Sequence, residues 1–215
     1  MKCIIFDLDG TIGNTLPLCI AAFKQAIEPL AGKVLSDKEI IDTFGPSEEG
    51  TIQALIPDYY EQGIEDYLRH YRDLHIMCAA PFEGIKEILD YAKDRSIRLA
   101  LVTGKGERST KITLDMFGIR SYFEAIETGS PHGPSKVQGI RSVLKQLGVS
   151  PADSIYVGDA PSDINASKEA GVPIVSAAWA ETAETEKLQM LQPDKLFTTI
   201  QAFRQYIQQT VQECH

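Results

Sequence analysis

Short, unbroken runs of large aliphatic residues recur along this chain, and each is followed by a turn or helix-start signal. They are residues 3–6 (CIIF), 99–102 (LALV), 125–126 within FEAIET, 154–157 (SIYV) and 172–175 (VPIV), with a weaker candidate at Leu196-Phe197. A strand with one wet face alternates apolar and polar residues. Runs without alternation belong to strands covered on both faces, as in parallel sheets. Helical patterns lie between the runs. Ile85, Ile88, Leu89 and Ala92 share one face over 84–95, and Ile112, Leu114 and Phe117 precede Gly118. Val137, Ile140, Val143, Leu144 and Leu147 precede Gly148, 162–170 ends at Gly171, and Ile200, Phe203, Ile207 and Val211 form a last stripe. Glycines just past the periodic residues are helix stops.

Strand–helix alternation of this kind predicts an α/β fold, a doubly wound and mainly parallel Rossmann-like sheet. One stretch departs from it. From Thr15 to Ala80 the patterns are helical and no convincing strand is found. Ser36-Asp37-Lys38-Glu39 is a capping-box signature. Gly45-Pro46-Ser47 separates two helices, the second opening on Glu48 and Glu49, where acids suit the helix dipole. Tyr67, Leu68, Tyr71 and Leu74 have helix spacing, and Pro81 closes the stretch. The expected organisation is residues 1–14 with 81–215 as an α/β core, and 15–80 as an all-helical insertion. The insertion carries 5 Lys+Arg against 11 Asp+Glu, so it holds most of the net charge of -9.

Asp7-Leu8-Asp9-Gly10-Thr11 follows the first apolar run directly. Carboxylates two positions apart on an extended chain point to one side. Like charges that close demand a cation or a shared proton between them. The pair therefore suggests a metal ion, with one carboxylate to attack and one to move protons. Three further features fall where other strands end: Thr103-Gly104-Lys105, Lys136 at a helix start, and Gly158-Asp159 with Asp163 one turn on. In open parallel sheets ligands bind at those carboxyl ends. Each feature alone has a plain structural reading, as turn former, helix cap or solvated lysine. Four together, each at a strand end, do not. An EF-hand loop is disfavoured, because a strand precedes Asp7 and the later ligand positions are missing. Gly104-Lys105-Gly106-Glu107-Arg108-Ser109 is a poor dinucleotide loop, with Ser109 at its third glycine, but it suits a helix N-terminus that offers N–H groups to one phosphate.

Other classes are disfavoured by what the chain carries. The negative surface and the lack of a basic stripe argue against nucleic acid. Cys3, Cys19, Cys78 and Cys214 form no C-x-x-C pair, so reduced thiols are expected. His70, His75, His132 and His215 include no i, i+4 metal pair. No apolar stretch suits a signal peptide or membrane span, so a cytoplasmic, reducing setting is expected.

With these residues in place the chain resembles the haloacid dehalogenase-like superfamily of phosphohydrolases. DLDGT at 7–11 is similar to its first motif, Thr103 to its second, Lys136 to its third, and Gly158-Asp159-Ala160-Pro161-Ser162-Asp163 to its fourth. The insertion resembles the small cap of the phosphoglycolate phosphatase and β-phosphoglucomutase branch. Two departures stand out: Gly133-Pro134-Ser135-Lys136-Val137 lacks the frequent Lys-Pro pattern, and Asn14 replaces a frequent acid.

The resemblance implies two-step phosphoryl transfer. Asp7 is the nucleophile and Asp9 the general acid and base. Asp7, Asp159 and the backbone carbonyl of Asp9 hold Mg²⁺. Asp163 holds metal-bound water or orients Lys136. Thr103, Gly104, Lys105 and Lys136 bind the phosphate. Asp9 argues against dehalogenation, since true dehalogenases lack it. A phosphonatase would need a cap lysine, for which Lys24, Lys33 and Lys38 are available. The implied partner is a small phosphorylated metabolite, with 2-phosphoglycolate first and a sugar phosphate, nucleoside monophosphate or pyrophosphate as alternatives. A second anionic group would need Lys24, Lys33, Lys38, Arg69, Arg72, Lys105 or Arg108, and the acidic cap would oppose its approach. A phosphomutase and a non-catalytic phosphometabolite-binding protein are the alternative functions. Monomer and dimer are both open.

Overall fold

A computed structural model describes residues 1–212, so Cys214 and His215 lie outside the described residues. Cys3–Phe6 (β1) is fully buried and has a strand on each edge. Its neighbours are Arg98–Val102 (β2) and Ser154–Gly158 (β4); Ala125–Glu127 (β3), Ile174–Ala177 (β5) and Lys195–Phe197 (β6) complete the sheet. The order is β3-β2-β1-β4-β5-β6 and every pairing is parallel. The chain works outward from β1 to β3, then returns to the other side of β1. That reversal opens a crevice at the carboxyl ends of β1 and β4.

Alternate residues of each strand feed two cores, as period two requires. Ile4, Phe6, Leu99, Leu101, Val157 and Val175 face one side. There they meet Ile85–Asp94 (α5), Glu107–Phe117 (α6) and Ile200–Gln212 (α10). Cys3, Ile5, Ala100, Val102, Tyr156 and Ile174 face Lys136–Leu147 (α7), Pro161–Ala170 (α8) and Thr185–Met190 (α9). The absence of alternation in CIIF and LALV is thus explained by helices on both faces.

Between β1 and α5 the regular elements are helices: Leu16–Ala31 (α1), Asp37–Ile41 (α2), Glu48–Leu55 (α3) and Tyr60–Asp73 (α4), with 3-10 turns at Pro57–Tyr59 and Leu74–Cys78. The Ser36 capping box is made in both directions. α1 ends at Gly32 with φ 66, a left-handed stop that costs glycine nothing. α1 and α4 pack together, with the Phe23 and Tyr67 rings 4.5 Å apart.

Two boundaries differ from expectation. α6 begins at Glu107, well before its first periodic apolar residue, because its first turn (Glu107, Arg108, Ser109) gives an apolar pattern nothing to register. β5 begins at Ile174 and runs to Ala177, two residues late. Pro173 has no N–H for the ladder, and Val172 bonds back to the Ser167 carbonyl of α8.

Candidate active site

Asp7 is the residue at which β1 leaves the sheet; its N–H still donates to the Val157 carbonyl of β4 at 2.9 Å. A tight turn follows. Ile12 N–H returns to the Leu8 carbonyl at 2.9 Å, and Gly10 N–H reaches Gly13 at 2.8 Å. Leu8 and Ile12 are fully buried and anchor the turn in the core. With Leu8 pointing inward, Asp7 and Asp9 are turned to the crevice. Gly10 sits at φ +79, and a Cβ there would lie 2.1 Å from Asp159 Oδ2. No other residue fits that approach.

The GDAPSD segment meets this turn from β4. Asp159 Oδ1 accepts a hydrogen bond from Thr11 Oγ1 at 3.1 Å. Asp163, fully buried, accepts from the Ala160 N–H through Oδ2 at 2.9 Å. Its Oδ1 accepts from Lys136 Nζ at 2.5 Å and from the Tyr156 hydroxyl at 3.0 Å. Lys136, on the first turn of α7, also lies 3.2 Å from Asp7 Oδ2. One ammonium thus bridges a carboxylate at the end of β1 and another in the first turn of α8.

Asp7, Asp159 and Asp163 each bring an oxygen within 4.8 Å of the others. One lysine cannot neutralise three such groups. Burial, more than anything else, pushes the Asp7 carboxyl up to about 7; Lys136 opposes this, while Asp163 and Asp9 add to it. Burial, then Asp7 and Asp163, push Asp159 well above the carboxylate range. Burial alone would pull the Lys136 ammonium down, but Asp163 and Asp7 push it up. Among the described residues, Asp7 Oδ1 is buried without any hydrogen-bond partner. A buried anionic oxygen with no partner is costly. A small hard divalent cation fits it, because the donors are all oxygen and the local charge is negative.

Thr103 follows β2 and is buried; its Oγ1 accepts from the Lys105 N–H at 3.2 Å. Lys105 does not extend toward Asp7. Its ammonium lies 3.6 Å from Asp9 Oδ1, 3.0 Å from Cys19 Sγ and 4.3 Å from the centre of the Tyr71 ring. Thr15 Oγ1 donates to the same Asp9 oxygen. Asp9 is therefore held by Thr15, at the edge of the helical insertion, and by Lys105, on the loop after β2.

The insertion adds a residue that spacing in the sequence does not reveal. Glu48 begins α3, as expected for an acid at a helix start, but its side chain serves a different helix. It accepts from the Gly106 N–H at 2.7 Å and from Ser109 Oγ, at the N-terminus of α6. Burial pushes its carboxyl up. Between insertion and sheet lies a cleft of about 510 Å³, reached by Asp7, Asp9, Thr103, Gly104, Lys105, Lys136 and Asp159, and by Leu16, Phe23, Phe44 and Glu48 from the insertion. Of the other cations weighed for a second anion, Lys24, Lys33, Lys38, Arg69, Arg72 and Arg108 do not line it.

A model of the family described as haloacid dehalogenase-like hydrolase matches residues 4–177. Pyrophosphatase PpaX of Bacillus pumilus is 32% identical over 197 residues, 89% of each chain. The phosphoglycolate phosphatase of Aquifex aeolicus is 27% identical over 182 residues, 83% of this chain and 85% of that one. A haloacid dehalogenase-like hydrolase structure from Streptococcus pneumoniae has the same fold, with TM-score 0.77 at 24% identity over 96% of this chain and 98% of the other.

Proposed function

Since the chain belongs to the haloacid dehalogenase-like hydrolase family, we propose that it is a Mg²⁺-dependent phosphatase that hydrolyses a small phosphate monoester through an aspartyl phosphate on Asp7. The observation that carries this reading is the state of Asp7: buried at the end of β1, with Lys136 on Oδ2 and no partner on Oδ1. Mg²⁺ would be held by the Asp7 and Asp159 carboxylates and the Asp9 backbone carbonyl. Bound there, it supplies positive charge to the phosphoryl group.

In the first step an Asp7 oxygen attacks phosphorus, and the ester oxygen leaves with a proton from Asp9. In the second, Asp9 takes a proton from the water that attacks the phosphorus, and Asp7 is released. Asp9 suits this role because it is the more accessible acid, its side chain 26% exposed against 6% for Asp7. Thr15 and Lys105 fix its direction. Lys136 offsets charge on Asp7 and on the phosphoryl oxygens, and Asp163 keeps Lys136 in position. Thr103, with the backbone N–H groups after it, binds the non-bridging oxygens. This division suits phosphoryl transfer, in which positioning and charge stabilisation dominate. The helical insertion serves as a cap that closes the cleft and limits water.

The test is phosphate release from small phosphorylated metabolites. Release should require Mg²⁺, stop on chelation and be lost in Asp7→Asn with the fold retained. Turnover by metal-free enzyme, or by Asp7→Asn, would refute the assignment.

A further inference from the structure

The part of the cleft next to the insertion has no role in moving the phosphoryl group, yet it must receive whatever leaves. Among the described residues, the cations lining the cleft are Lys105 and Lys136. Lys136 is committed to Asp163 and Asp7. Lys105, its side chain only 2% exposed, is committed to Asp9, Cys19 and the face of Tyr71. Four of the insertion's five cations are paired elsewhere, Lys24 with Asp37, Lys33 with Glu39, Lys38 with Asp42 and Arg69 with Asp66, and the fifth, Arg72, does not line the cleft. Arg108 of α6 is paired with Glu65. Asp9 and Glu48 line the same wall; Lys105 offsets Asp9, while Glu48 is bonded to the Gly106 N–H and Ser109 Oγ and makes no ion pair among the described residues, so the unpaired charge on this side is negative.

The rest of the wall is apolar. Leu16, Phe23, Phe44 and Pro46 face the cleft. The Phe44 ring lies 5.9 Å from Phe23, and Phe23 lies 4.5 Å from Tyr67, so one aromatic surface runs from the opening into the insertion. Phe44 is 39% exposed at its outer end, a large hydrophobic side chain left at the mouth.

Resting on the phosphatase reading, we propose that the leaving group is an uncharged alcohol with an apolar face, rather than a carboxylate or a second phosphate. A carboxylate brought here would lose water, gain no free cation and face like charge. An alkyl or aromatic group would cover Phe44 and Leu16 and exchange wet apolar surface for contact. The phosphoryl group itself is served separately, by Lys136, Thr103 and the metal. This preference departs from the substrates named for the two relatives above, 2-phosphoglycolate and pyrophosphate.

The experiment compares kcat/KM for benzyl phosphate, 2-hydroxyethyl phosphate, 2-phosphoglycolate and pyrophosphate with Mg²⁺, and includes p-nitrophenyl phosphate as an activated ester. 2-Hydroxyethyl phosphate is close to 2-phosphoglycolate in size and carries a hydroxymethyl group in place of the carboxylate. Both esters of uncharged alcohols should exceed 2-phosphoglycolate and pyrophosphate by about tenfold or more, with benzyl phosphate the better of the two. If 2-phosphoglycolate or pyrophosphate equals or exceeds them, the leaving-group proposal fails while the phosphatase reading stands. If none of the five releases phosphate from folded protein, the phosphatase reading itself fails. A second arm uses the variant Phe44→Arg, which places a cation at the mouth. It should shift the ratio of 2-phosphoglycolate to benzyl phosphate turnover upward by about tenfold. An unchanged ratio would overturn the assignment of this wall to the leaving group.

Discussion

Replacing Asp7 by Asn should make the metal-free protein more stable while removing its activity. Three carboxylates crowd one lysine at the end of β1, and Asp7 carries the cost of burial: its carboxyl is pushed from 3.8 up to about 7. Each tenfold change in proton affinity between folded and unfolded chain is worth about 1.4 kcal/mol, so the ionised group weakens the fold by roughly 4 kcal/mol. The amide keeps the shape without the charge, and Lys136 retains Asp163 at 2.5 Å. Some of the gain is lost because an amide replaces the Lys136 contact poorly, so about 2–4 kcal/mol is expected at pH 8. The direction with pH follows from proton binding. A carboxyl raised in the folded state holds its proton there while the unfolded chain has released it. Metal-free wild-type stability should therefore fall as pH rises from about 4 through about 7. Asp159 is raised in the same sense, so Asp7→Asn should reduce this slope without abolishing it. Urea unfolding in chelator at pH 5 and pH 8 measures both effects. Trp179 reports it locally, since its indole N–H donates to the Thr11 carbonyl at 3.0 Å. Saturating Mg²⁺ should reverse the ranking, stabilising wild type over the variant. Equal metal-free stability of the two proteins at pH 8 would show that Asp7 is not held as an uncompensated buried charge.

Two further outcomes follow from the same geometry. Gly10→Ala places a Cβ 2.1 Å from Asp159 Oδ2 at φ +79, so it should destabilise the protein by about 1–3 kcal/mol and weaken Mg²⁺ affinity, read by unfolding and by metal titration. Glu48→Ala leaves the Gly106 N–H and Ser109 hydroxyl without their carboxylate and should cost about 1–3 kcal/mol; amide exchange at Gly106 should rise, and unchanged exchange there would deny Glu48 its part in joining the insertion to α6.

The sheet was legible because its strands carry their burial in their own composition. CIIF, LALV and SIYV lack alternation because helices cover both faces of the sheet, and each run carries that in its own residues. The acidic turns of the candidate site were legible in the same way, since Asp7 and Asp9 share one turn, and Asp159 and Asp163 share one helix start. β5 was placed early because apolar character alone does not register the missing N–H of Pro173. The partners of Lys105 and Glu48 were less legible. Lys105 reaches Cys19 across 86 residues, and Glu48 reaches Gly106 across 58. No periodicity connects such positions.

Taken alone, the order of amino acids determined a buried parallel sheet and acidic turns at the ends of its strands, because strand burial, turn chemistry and helix starts are properties of a few adjacent residues. Only the tertiary structure decided which charges remain available in the cleft. Lys105 turns to Asp9 and Tyr71, Lys24 to Asp37, and Phe44 is left at the mouth. Whether a lysine meets a ligand or a neighbouring carboxylate depends on what the packed chain brings within a few ångströms, and distance along the chain does not encode that.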